Sequence, residues 1–160
     1  KRDDILKIRI RYILLGGFLL ALSFFLIKFV FVSEEKRIAR VIEAGEKSLE
    51  AKDLEGCMKR LSYNYSDEYG LSYLQIKKFL EKFFQEFQEI EIEKEILKIE
   101  VKDDEAQASM NIRVIVTIQN QRGYLIGSSE SLANIKIDLE KVRTKWLVKR
   151  VEWPKRLHYQ

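Results

Sequence analysis

The chain has 160 residues, with 29 Lys and Arg against 25 Asp and Glu, a net charge of +4 and one cysteine. A single Cys57 excludes an intrachain disulfide and any metal site built on cysteine pairs, and its neighbours Gly56 and Met58 mark it as a small buried residue rather than a reactive thiol. The excess charge suggests nucleic acid until it is located: residues 1–11 hold +3 and Lys28 holds +1, so residues 33–160 are neutral and phosphate backbones are set aside as partners.

Lys1, Arg2, Lys7, Arg9 and Arg11 make residues 1–11 a basic segment, and an anchor is expected over residues 12–32. Its apolar run, Ile13–Val32, carries one charge, Lys28. As a helix rising about 1.5 Å per residue, the run matches the roughly 30 Å hydrocarbon core of a bilayer. Lys28 lies close enough to the far end to snorkel to the headgroups. Gly17 and Ala21 form a small-xxx-small pair, which chance also supplies in such spans. The basic flank predicts a single pass through the cytoplasmic (inner) membrane, N-terminus inside and the remaining chain on the periplasmic or extracytoplasmic side. A cleaved signal peptide is the rival reading, but FVFVSEEK offers no small-residue cleavage pattern.

Residues 33–153 are expected to form one domain, followed by a tail over 154–160. Ile38, Val41, Ile42 and Leu49 predict a first helix over about Glu34–Lys52, with Glu34 and Glu35 at the positive end of its dipole. Asp53 is placed to cap a short second helix that turns Leu54, Cys57, Met58 and Leu61 inward. SYNYSDEYG, residues 62–70, breaks the pattern. Tyr63, Tyr65 and Tyr69 are candidates for a pocket mouth, although a tyrosine ring on a core edge with its hydroxyl in water is the commoner arrangement. Ser72 and Gln75 form a capping box, and Ile76, Phe79, Leu80, Phe83, Phe84 and Phe87 make an unbroken helical stripe that should cover a sheet.

Strands follow. Ile90 and Ile92 alternate in one parity and Leu97, Ile99 and Val101 in the other, which predicts a bulge or break within Glu93–Ile96. Asp103 and Asp104 turn the chain. From Ala106 to Ile118 the even positions are apolar, so Asn111, Arg113, Ile115 and Thr117 should face outward as a candidate partner surface. Asn120–Gly123 is expected to be a hairpin turn, with a third strand ending in Ile135, Ile137 and Leu139 and a fourth over Trp146–Trp153 beyond the basic turn Lys141–Lys145.

The result is an α+β chain: a transmembrane helix, then three helices packed on a curved antiparallel sheet. DLEGCMKRLSYNYSDEYG, a capped helix, DDEAQASMNIRVIVT and a closing KWLVKRVEW resemble the nuclear transport factor 2-like superfamily, the cone-shaped fold shared with ketosteroid isomerases and polyketide cyclases. The resemblance covers about Glu34–Trp153. It implies a cone that in the enzymes holds an ionisable Asp or His, and anchored members that look like envelope accessory proteins. The inward face of the long strand supplies no such group, Lys136 and Asp138 face away, and His158 stands in the tail. Asp67 is the sole carboxylate nominated as a base. No Ser-His-Asp set, phosphate loop or metal-spaced cluster is present, so no cofactor, metal or catalytic residue is expected. The expectation is a membrane-tethered, noncatalytic binding or assembly module that meets lipid through its anchor and a protein partner or a second copy through its domain. The alternatives are a carrier of an apolar lipid-like ligand and an anchored isomerase- or cyclase-like enzyme.

Overall fold

The computed structural model describes residues 33–153. The basic segment, the anchor over residues 12–32, and the tail with Pro154 and His158 lie outside the described residues. Among those described, no helix is long and apolar enough to cross a membrane.

Helix α1 (Glu34–Glu50) buries Ile38 and Ile42 and half-buries Val41, as its spacing predicts. The Ser48 hydroxyl donates to the Ala44 carbonyl at 3.0 Å, which lets a polar residue sit in the core-facing stripe. Lys52 adopts φ 54° and ends the helical turn, and its ammonium donates to the carbonyls of Phe87 and Gln88. Asp53 then caps α2 (Leu54–Met58), accepting from the Gly56 N–H at 2.9 Å. Gly56 leaves room there: a Cβ would collide with Asp53 Oδ2 and Ser48 Oγ unless the cap shifted.

Residues 61–66 run beside the last strand, where Ser62 N–H donates to Val148 O and Ser66 N–H to Lys149 O, so the loop covers a sheet edge that would otherwise be open. Helix α3 (Tyr73–Glu86) starts at the expected box, with Gln75 Oε1 accepting from both the N–H and the hydroxyl of Ser72 at 2.8 Å.

Five antiparallel strands follow: β1 (Glu89–Lys102), β2 (Glu105–Ile118), β3 (Gln121–Ile126), β4 (Ala133–Val142) and β5 (Lys145–Glu152). They are ordered β1-β2-β4-β5, with β3 continuing along the same edge of β2 as β4. The single third strand of the sequence reading is therefore two strands. Gly127, at φ +79°, breaks them, and a Cβ there would approach Ser131 O to 2.9 Å. The hairpin turn is corrected to Gln119–Asn120, both at positive φ, while Gly123 pairs with Val116 inside β3. The bulge in β1 is corrected to Leu97, skipped between Ile96 and Lys98; it keeps Ile90, Ile92 and Ile96 on the same face as Ile99 and Val101.

Two apolar clusters hold these layers. The larger joins α1 to the concave face of the sheet through Ile38, Ile42, Met110, Ile112, Leu139 and Trp146, and the smaller gathers Cys57, Met58, Tyr65, Ile76 and Leu80 beneath α2 and α3. The expectation that the phenylalanine stripe forms the cover of the sheet is corrected in part. Backbone contact with β1 comes from α1, whereas α3 reaches the main core through Phe83, Phe84 and Phe87, and Phe79 remains 50% exposed. Long aromatic side chains bridge a gap that isoleucines close.

Candidate functional site

Among the described residues, the concave face of the sheet is buried. Ala106, Ala108, Met110, Ile112, Val114 and Val116 project from β2 on this face, and each is at most 7% exposed. Charge enters this wall in pairs. Lys94 of β1 meets Glu46 of α1 in an ion pair, and Lys141 of β4 meets Glu34 at 3.0 Å while the Trp146 indole N–H donates to the same carboxylate. Those contacts hold Glu34 below the usual carboxylate range, the indole hydrogen bond most of all and Lys141 next. Lys94 was legible in the sequence, since it shares the inward parity of Ile92 and Ile96; assigning Glu93–Ile96 to a break concealed it.

The three tyrosines of the loop differ in exposure. Tyr63 and Tyr69 are 84% and 59% exposed, whereas Tyr65 is 3% exposed within the smaller core. Burial, reinforced by the neighbouring Asp67 carboxylate, pushes the Tyr65 phenol far above its ordinary pKa. Asp67 is itself buried: Oδ1 accepts from the N–H groups of Tyr69 and Leu71 at 3.0 and 2.9 Å, and Oδ2 accepts from the Tyr65 hydroxyl at 3.4 Å. It closes a turn, with both oxygens engaged within the loop. Cys57 is equally withdrawn, its thiol raised to about 11 first by burial and then by Asp53.

On the outer face of the sheet, the four nominated residues occupy one β2 row with intramolecular partners. Asn111 Oδ1 accepts from Asn134, Arg113 pairs with Glu93 at 3.1 Å and donates to Ser129 O, and the Thr117 hydroxyl donates to Glu89. Ile115, expected to be open to a partner, is 6% exposed. Glu91 and Tyr124 stand opposite it on the two flanking strands, and Arg122 pairs with Glu91, so long side chains cover the isoleucine.

Two concavities among the described residues bear on function, and they lie in different places. One, of about 810 Å³, has Ala106 and Leu139 among its lining with Glu100, Glu105, Lys149 and Arg150, a mixed set of charges. The other, of about 390 Å³, is lined by Arg37, Arg40, Lys59, Arg60 and Lys145 around Trp146. Sequence reasoning missed it because these cations come from three distant stretches. Among the described residues, no group of His, Cys, Asp and Glu has the arrangement of a metal site.

No protein-family model matches the chain, and no curated protein matches it either. Solved structures do. A candidate scytalone dehydratase from Novosphingobium aromaticivorans aligns at 17% identity over 79% of this chain and 89% of that one, with a TM-score of 0.65. Bd1075 of Bdellovibrio bacteriovorus aligns at 14% identity with a TM-score of 0.61; the match covers 77% of this chain and 40% of that one. A variant of the protein Rd1NTF2_05 aligns at 12% identity over 76% of this chain and 99% of that one, with a TM-score of 0.55. At such identities the likeness concerns architecture, and with the curved sheet and its helices it supports one conclusion: residues 34–153 adopt a nuclear transport factor 2-like fold.

Proposed function

We propose that the chain is a membrane-tethered, noncatalytic binding or assembly module of the cell envelope, an accessory subunit of a membrane complex. The observation that supports this reading is the apolar concave wall, which packs on α1, together with the nominated base Asp67, which is bound into a turn of the tyrosine loop. Tethering is inferred from the basic segment and the apolar run Ile13–Val32, and by the positive-inside rule they support a domain on the periplasmic or extracytoplasmic side. A partner or a second copy would meet the outer sheet face at Asn111, Arg113 and Thr117, where confinement to one membrane raises effective concentration and lowers the affinity required. The test is a reporter fused after Gln160 that works only outside the cytoplasm, combined with crosslinking of the intact protein in membranes. An active reporter and a discrete crosslinked species are expected, whereas a cytoplasmic reporter signal or monomer alone would refute the reading.

A second reading, an anchored isomerase- or cyclase-like enzyme, draws on the Glu46–Lys94 pair in the concave wall. Loss of biological function in Glu46→Gln with an unchanged melting temperature and membrane level would favour it.

A further inference from the structure

Arg37 and Arg40 of α1, Lys59 and Arg60 at the end of α2, and Lys145 at the start of β5 converge on one cleft whose floor includes Trp146. Residues 33–160 are neutral by composition, so this concentration is made by the fold. Local carboxylates offset only part of it. Glu34 lies 3.4 Å from Arg37 but is already engaged by Lys141 and the Trp146 indole, and Glu55 pairs with Lys59 where both side chains are largely exposed to water. Arg60 is held from behind by neutral acceptors, the Ser48 hydroxyl and the Gly56 carbonyl. Arg40 and Lys145 form no ion pair with a described residue.

We propose that this cleft binds the phosphate group of a small amphiphilic ligand. Several cations supplied by three chain segments to one cleft suit a multiply charged group, whereas a carboxylate is satisfied by one guanidinium fork. Arg40 and Lys145 are the primary anion contacts, with Arg60 as a positioned third cation, and the apolar part of the ligand lies toward Val41 and Trp146. Such a phosphate has two sources, a phospholipid headgroup or a soluble phosphate ester. The cleft is built wholly from residues between Arg37 and Leu147, so the proposal stands apart from the tethered-module reading.

The test is calorimetric titration of the full chain in nonionic detergent with glycerol phosphate, dihexanoyl phosphatidylglycerol and, as a zwitterionic control, dihexanoyl phosphatidylcholine. Saturable binding of at least one anionic probe is expected, weakened about tenfold by Arg40→Ala and about tenfold again by Lys145→Ala, as loss of a charge-assisted hydrogen bond implies. Both side chains are exposed, so the variants should retain the parent melting temperature. Equal affinity for the ester and the lipid assigns recognition to the phosphate alone, and binding of the lipid only assigns it to a headgroup with its chain. Failure of both anionic probes to saturate would overturn the proposal. So would equal affinity in the double variant, or an equal loss in Lys77→Ala/Lys78→Ala, which removes charge from α3 outside the cleft.

Discussion

Ile115 sits on the sheet face opposite the concave core, yet it is buried there because the neighbouring strands carry long side chains level with it. An aspartate in its place would put a charge among Glu91, Glu93 and Glu89 on the adjoining strand with no cation free of an existing pair. Ile115→Asp is therefore expected to destabilise the fold by about 3 kcal/mol or more, the range for an unpaired buried charge. Chemical denaturation checks this, and an unchanged midpoint would mean that the covering side chains swing away freely. Phe79 and Phe83 supply the opposite comparison, since they share one helical stripe and differ in burial. Phe79→Ala should cost less than about 1 kcal/mol, whereas Phe83→Ala, which removes ring contacts to Phe84 and Phe87, should cost about 2 to 3 kcal/mol. Equal costs would show that the stripe is uniformly buried.

Helix α1 is secured at both ends by polar contacts that its apolar periodicity does not disclose. At the first turn Glu34 accepts from Trp146 and Lys141, and at the last Glu50 accepts from the Ile92 N–H at 2.9 Å while Lys52 reaches the carbonyls of Phe87 and Gln88. The folded-state pKa of Glu34 is lowered, so the unfolded chain takes up the proton first. The stability from this contact is present above the ordinary carboxylate pKa near 4.5 and is lost as pH falls through the lower folded value. Amide exchange in the first turn of α1 and Trp146 fluorescence should both report loosening on acidification below about pH 4.5, and Glu34→Gln should abolish that dependence. A pH response that persists in Glu34→Gln would assign it to another group.

Residues 33–160 are expected to fold cooperatively without residues 1–32, because described residues alone supply two apolar clusters. A sigmoidal melt with near-ultraviolet dichroism checks this, and a noncooperative melt would mean that the core needs the preceding residues. The α+β class, the caps at Asp53 and Ser72, the inward parity of β2 and the buried Cys57 were legible in the sequence by itself. Each depends on residues a few positions apart, where 3.6- and 2-residue periods and single hydrogen bonds decide the outcome. The tertiary structure decided the rest. Leu97 carries the β1 bulge because a skipped residue is chosen by pairing to β2, and Gly127 splits the third strand because both halves must follow one edge of that strand. Which helix lies on the sheet, what covers Ile115, and the meeting of Arg40, Arg60 and Lys145 in one cleft all depend on contacts between distant segments. Local periodicity carries no term for them, and a neutral composition conceals where the charges gather.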